Sequence, residues 1–189
     1  MNVKDRHIKF YRGKDISWVN WGKSFYPHLD LIKPKSVCDV GCGNGKFLKD
    51  MVTKYGCTQA YGVDIATVEL GMVITDPRIT YFSSDSTKIP LEDKSVDLVT
   101  SFDCLEHVAE DKVEKTLKEF ARISRKGFMF SITHRLSGHS VGEYNLHSCV
   151  KSKDWWFNKI KTFMGAKLEK TIYAGGNPSF PHTETIWKL

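Results

Sequence analysis

The sequence predicts an α/β fold: a doubly wound, mostly parallel sheet of seven strands with helices on both faces. Three observations carry this prediction. Short apolar runs of strand length alternate with segments of helical spacing, the pattern of a parallel sheet covered on both sides. The run Asp39-Val40-Gly41-Cys42-Gly43-Asn44-Gly45 sets a glycine-rich turn between the first such strand and the first such helix. The chain has 189 residues and no repeats, low-complexity tracts or Pro/Ser-rich linkers, so residues 1–189 read as one domain with a full core.

Taken in order, residues 1–35 read as an N-terminal helical lid. Residues 1–14 are polar and basic with no apolar core, so they do not form a secretory signal. Residues 18–32 carry Trp21, Phe25 and Leu29 at helical spacing, with Pro27 inside to kink or break the helix. Residues 36–40 form a buried strand entered through Lys33-Pro34. A helix over 44–55 follows the glycine turn, with Phe47, Leu48, Met51 and Val52 as its apolar stripe. The second strand, 59–63, ends at Asp64, and a short helix over 67–73 precedes the third strand, 79–82. The fourth strand is 95–101, and a helix over 112–124 shows helical spacing at Val113, Leu117, Phe120, Ala121 and Ile123. Gly127 punctuates the chain before a fifth strand, 128–133. A polar insert, 134–151, leads to an amphipathic helix over 153–163. Strands 167–173 and 183–188 complete the set, separated by the turn-rich Gly175-Gly176-Asn177-Pro178.

Composition narrows the class. Hydrophobic residues at 41% and charged residues at 26% are ordinary for a globular protein. No stretch approaches the roughly 20 apolar residues of a membrane-spanning helix. The five cysteines (Cys38, Cys42, Cys57, Cys104, Cys149) include no CxxC pair and read as reduced thiols of a cytoplasmic protein. No metal set is expected. The net charge of +6 draws on Lys4, Arg6, Lys9, Arg12 and Lys14 and on the lysines of 151–170. It serves either as plain solubility or as a face for nucleic acid.

The glycine run carries the chemistry. Glycines at a strand-to-helix junction let the backbone turn sharply and let a ligand touch the main chain. A dinucleotide fingerprint needs a third small residue at position 46, where Lys46 stands; here the third glycine comes early, at Gly45. A phosphate-binding G-x-x-x-x-G-K-S/T loop is absent from the sequence. The bland alternative is a tight turn with no ligand.

The segment Asp39–Gly45 resembles the first motif of the class I S-adenosylmethionine (SAM)-dependent methyltransferases, which share a Rossmann-like sheet. The resemblance covers about 37–133. It implies a cofactor cradle at Asp39, Gly41, Cys42, Gly43 and Gly45. It also implies that Asp64, with Ile65, holds the ribose hydroxyls, that Asp85 and Ser86 lie near the adenine, and that the segment Phe102-Asp103-Cys104-Leu105-Glu106-His107-Val108, with Phe102 and Asp103 as its cofactor contacts, faces the methionine part. A carboxylate suits a vicinal diol because it accepts two hydrogen bonds. Asp64 has a second reading as the N-cap of the following helix, and Asp85 one as an ordinary loop acid. The implied cofactor is SAM, with S-adenosylhomocysteine as product.

The acceptor side is less legible. The insert 134–151 holds His134, Arg135, His139, Glu143, Tyr144, Asn145 and His147, either as a recognition element or as a solvated loop. His147, His134 and His107 are the candidate general bases, against a packing role for each. Trp155, Trp156 and Phe157 read as core, and the turn 177–182 as a possible cover for the mouth of the site. The corresponding stretch Ser101-Phe102-Asp103-Cys104 lacks the Pro-Pro-aromatic motif of DNA amino-methyltransferases, and no cysteine follows a proline as in cytosine-C5 enzymes. The expected function is methyl transfer to a small-molecule or glycan acceptor. The alternatives are an RNA or other nucleic-acid methyltransferase, and a SAM-binding protein without catalysis.

Overall fold

A computed structural model describes residues 1–17, 20–174 and 181–189. Seven strands form one sheet in the order β3-β2-β1-β4-β5-β9-β8. Strands β1 (Ser36–Val40), β2 (Gln59–Val63), β3 (Ile79–Phe82), β4 (Val96–Phe102) and β5 (Ser124–Thr133) run parallel. The last two, β8 (Lys167–Ala174) and β9 (His182–Lys188), pair antiparallel at the β5 edge. The chain leaves β1 toward β2 and β3, then returns to β4 on the other side of β1. That reversal opens a crevice beyond the carboxyl ends of β1 and β4, where ligands bind in such sheets. The register pairs Val40 with Val63 and Asp39 with Thr100, so Gly41, Asp64 and Phe102–Asp103 emerge at one edge.

Alternation along the strands divides the core into two layers. Cys38, Val40, Val99, Phe128, Phe130 and Trp187 meet α3 (Glu110–Ile123) and α4 (Lys153–Met164) through Val113, Leu117, Phe120, Trp156 and Ile160. On the opposite face Val37, Leu98, Met129 and Ile186 meet Phe47, Leu48 and Met51 of α2 (Lys46–Thr53). Trp156 is fully buried, a core residue as the sequence suggests.

Several elements differ from the sequence reading. An N-terminal helix, α1 (Val3–Tyr11), stands on its own, capped by the Asn2 side chain accepting from the Asp5 N–H at 2.8 Å. Residues Trp21–Leu31 form a 3-10 helix rather than an α-helix. Pro27 inside it explains the difference, since proline removes the N–H an α-helix needs and clashes with the preceding turn. Residues 67–73 make turns and no helix; single bonds from Leu70 N–H to Ala66 O and from Met72 N–H to Thr67 O close them, and Gly71 at φ +67° takes the chain out of helical geometry. Gly127 lies within β5 instead of before it. A Cβ there would run into the Trp187 carbonyl of β9, so glycine is what lets the two strands approach.

The polar insert is tied down by hydrogen bonds, although residues 138–140 and 142–144 are exposed. It contains a small hairpin, β6 (Ser140–Val141) with β7 (Tyr144–Asn145), turned at Gly142 with φ +63°. Arg6 of α1 donates to the Asn145 carbonyl at 2.6 Å and to the Ser148 hydroxyl at 2.9 Å. The N–H groups of Ser148 and Cys149 donate to the Glu106 carbonyl. Residues 175–180, which hold the Gly-Gly-Asn-Pro turn and most of the expected cover, lie outside the described residues.

Candidate active site

A cleft of about 840 Å³, its open mouth included, lies at the crevice between β1 and β4. Its floor is the glycine turn. Gly41 and Gly43 have φ of +79° and +53°, backbone that favours glycine. The N–H groups of Gly41 and Cys42 donate to the Val63 carbonyl, which ties the turn to the end of β2. Asp64 locks it further: one carboxylate oxygen accepts from Ala66 N–H (2.8 Å) and Thr67 N–H (2.9 Å), the other from Gly43 N–H (3.2 Å). Asp64 therefore caps the next turn, which is no helix, and also lines the cleft.

Among the sequence-predicted residues, Gly41, Gly43, Asp64, Ile65, Asp85, Ser86, Phe102, Asp103 and His107 line the cleft. Asp85 is held by Thr87 N–H at 2.9 Å and Lys112 Nζ at 3.1 Å, and the Ser86 and Thr116 hydroxyls share a hydrogen bond of 3.0 Å. Asp103 has φ +47°, a strained backbone for a non-glycine residue, and accepts from the Ser131 hydroxyl at 2.5 Å.

Asp39, Cys42, Gly45, His134 and His147 are not in the lining. Cys42 packs into the core beside α2. Gly45 is the left-handed N-cap of α2, where a Cβ would strike the Tyr81 hydroxyl. His134 spends both ring nitrogens elsewhere: Nδ1 donates to the Lys151 carbonyl and Nε2 accepts from the Thr183 hydroxyl, each at 2.9 Å. His147 lies behind the wall, its ring edge-on to His107 at 4.8 Å between centroids. Asp39 is buried beneath the turn, beside a smaller hollow shared with Asn20, Gly41 and Phe47.

Burial sets the electrostatics. Asp39 accepts from the Thr100 hydroxyl at 2.6 Å, yet desolvation pushes its carboxyl up to about 7. Because that value exceeds the unfolded one, this group favours folding in acid, and its contribution falls from about pH 4 up to about pH 7. Between pH 6 and pH 7 the ligand-free protein should lose about 1 kcal/mol, or 2–4 °C in melting temperature, that Asp39→Asn does not lose. Equal melting shifts in the two proteins would show that Asp39 is ionised throughout. His107 is pushed down to about 3, first by burial and then by the charges His7 and His147 would carry, so it stays neutral and is a weak base.

The outer wall comes from the N-terminal segment that the sequence reads as a lid, through side chains that are not among the expected site residues. Val3, His7 and Tyr11 of α1, with Trp21 of the 3-10 segment, line the same cleft. His7 Nε2 sits 3.0 Å from His107 Nδ1, across 100 positions of chain. The Asn2/Asp5 cap was the one local signal for α1, and nothing local shows which way its face turns.

Residues 38–132, half of the chain, match the family model described as a methyltransferase domain. The chain belongs to the class I SAM-dependent methyltransferases. It is 30% identical over 113 residues to norajmaline N-methyltransferase of Rauvolfia serpentina, covering 54% of this chain and 38% of that protein. It is 22% identical over 138 residues to phosphoethanolamine N-methyltransferase 2 of Caenorhabditis elegans, covering 70% of this chain and 31% of the relative. The chain thus spans roughly a third of the length of these curated relatives. Among solved structures, the 1,6-didemethyltoxoflavin-N1-methyltransferase of Burkholderia thailandensis shares its fold with a TM-score of 0.69 at 12% identity, over 98% of this chain and 86% of that one. An S-adenosylmethionine dependent methyltransferase of Mesorhizobium loti gives a TM-score of 0.66 at 18% identity, over 89% and 99%.

Proposed function

We propose that this methyltransferase holds SAM in the cleft at the carboxyl ends of β1, β2 and β4 and transfers its methyl group to a small-molecule acceptor. The convergence of a side-chain-free glycine turn with Asp64 and Asp85 around one cleft carries the reading. A Cβ at position 41 would collide with Cys104 of the cleft wall, and Asp64 has acceptor capacity beyond its three backbone bonds. Val40, Val63, Ile65 and Phe102 supply apolar walls between the polar ends. SAM, when bound, supplies a methyl group already activated on a sulfonium.

The chain's own residues then position an acceptor and exclude water. His7 and Tyr11 of α1 and His107 beside the β4 end form the remaining wall, and we place the acceptor against them. Burial raises the Tyr11 hydroxyl far above its ordinary value, so it acts as a neutral hydrogen-bonding group. Two relatives whose names specify their acceptors, norajmaline and phosphoethanolamine, support a small molecule over a macromolecule. All five cysteines are free, which fits a reducing cytoplasmic setting. No described helix is long and apolar enough to cross a membrane.

Isothermal titration with S-adenosylhomocysteine, with NADH alongside, tests the cofactor. Saturable one-to-one binding of the homocysteine compound alone is expected. Binding of NADH alone, or of neither, would overturn the reading.

A further inference from the structure

The side-chain carboxyl group of Glu106, which burial pushes up to about 8, poses a problem of its own. The residue lies in the short 3-10 turn Leu105–His107 after β4 and is 0% exposed. One oxygen accepts from the Thr133 N–H at 3.2 Å, while the other, Oε2, is buried without a hydrogen-bond partner among the described residues. A buried oxygen left unmatched is costly and rare in native proteins, so it calls for a partner.

The rings of His107 and His147 stand beside it. One ligand atom from each of Glu106, His107 and His147 lies within 4.8 Å of the others. Hydrogen bonds fix which nitrogen of each ring keeps a lone pair for a ligand. His107 Nδ1 is 2.9 Å from the Leu146 carbonyl, and His147 Nδ1 is 2.6 Å from the Arg135 carbonyl. A carbonyl only accepts, so each Nδ1 carries the proton and each Nε2 keeps its lone pair. His7 Nδ1 likewise faces the Val3 carbonyl, so its Nε2 accepts from the His107 Nδ1–H and takes no part in the group. Imidazoles held by backbone carbonyls through the far nitrogen are how proteins orient histidine metal ligands.

We propose that Glu106, His107 and His147 bind one divalent transition-metal ion in the wall of the cleft. Two imidazole nitrogens and one carboxylate oxygen, without a thiolate, suit Zn²⁺ and its neighbours Fe²⁺ and Co²⁺ over Ca²⁺ or Cu⁺. Tetrahedral bonds of about 2.0–2.1 Å set donors roughly 3.3 Å apart, so the side chains close by up to about 1.5 Å on binding. Three protein ligands leave at least one position open, as in catalytic rather than structural sites. Of the three, His107 lines the cleft. Resting on the reading of that cleft as the transfer site, the open position takes an oxygen or nitrogen of the acceptor and orients it. Metal binding itself does not depend on that reading.

The test uses the full chain, tag-free and stripped with a chelator, titrated with Co²⁺ and followed by its visible absorption, then with Zn²⁺ by calorimetry. One equivalent is expected, with affinity weakened at least tenfold in both His147→Ala and Glu106→Gln. Glu106→Gln retains an acceptor for Thr133, and melting curves of both variants report whether they fold. Absence of saturable binding by the wild type, or equal affinity in folded variants, would overturn the site. Co²⁺ binding without S-adenosylhomocysteine binding would sustain the metal site and sink the transfer reading. The reverse result would sink the metal site and leave transfer standing.

Discussion

Asp64→Asn should weaken S-adenosylhomocysteine binding at least tenfold while lowering the melting temperature by no more than 2–4 °C. The asymmetry follows from the two jobs of this side chain. Its Oδ1 accepts from Ala66 and Thr67 N–H, and asparagine caps such turns as well as aspartate does. Its Oδ2 accepts from Gly43 N–H, a bond the amide of asparagine cannot make without turning its carbonyl away from the cap. Losing that one bond costs about 1 kcal/mol, hence the small melting shift. A ligand hydroxyl loses more, because a hydrogen bond to a charged group contributes about 1.5–3 kcal/mol, and 1.4 kcal/mol is tenfold in affinity. Asp64→Ala should add the loss of the cap, about 0.5–2 kcal/mol of stability, to a similar loss of affinity. Calorimetry and thermal melts on the pair separate the roles. If the asparagine variant bound the ligand as the parent does, Asp64 would be a loop clasp and the ribose would lie elsewhere.

That double role also marks how far the sequence could be read. The strand–glycine turn–helix from Ser36 to Thr53 was legible because its signals are local: an apolar run, three glycines and a 3.6-residue stripe. Asp64 was legible as a residue but not as a choice between cap and ligand contact, since both demand an acid at a strand end. The turns at 67–73 carried apolar residues at helical spacing, yet the bonds to Asp64 and the left-handed Gly71 hold them in another form. Beyond this frame the information is long-range. His7 meets His107 only because α1 folds back over the cleft, and Arg6 reaches Asn145 by the same docking. The insert was singled out for its density of polar groups, which placed His147 among the candidates. Glu106 stands in the 102–108 segment that the family resemblance marks, but an acid in a turn after a strand gives no sign of being fully buried. His134 shows the opposite failure: it looks reactive in the sequence, but the Lys151 carbonyl and the Thr183 hydroxyl occupy both nitrogens.

The two cleft glycines allow a sharper test of the cradle, because both have a positive φ and they differ in the space around them. Gly41→Ala should cost about 2–5 kcal/mol and abolish detectable S-adenosylhomocysteine binding, whereas Gly43→Ala should cost about 1–2 kcal/mol. Both substitutions pay the left-handed penalty of a Cβ, roughly 1–2 kcal/mol. At position 43 the new carbon meets only Trp21 at 3.5 Å, an ordinary contact. At position 41 it would drive into the Cβ and sulfur of Cys104, adding the roughly 1–3 kcal/mol of an overpacked site. For a chain of this length the difference reads as several degrees in melting temperature. Relief of the collision offers an internal control. Placing Cys104→Gly in the Gly41→Ala background removes both colliding atoms and should restore part of the stability, leaving only the backbone strain. Should Gly41→Ala and Gly43→Ala melt together, or Cys104→Gly bring no recovery, the turn would not lie against Cys104 as described. The close approach of β1 and β4 that shapes the cleft floor would then need another cause.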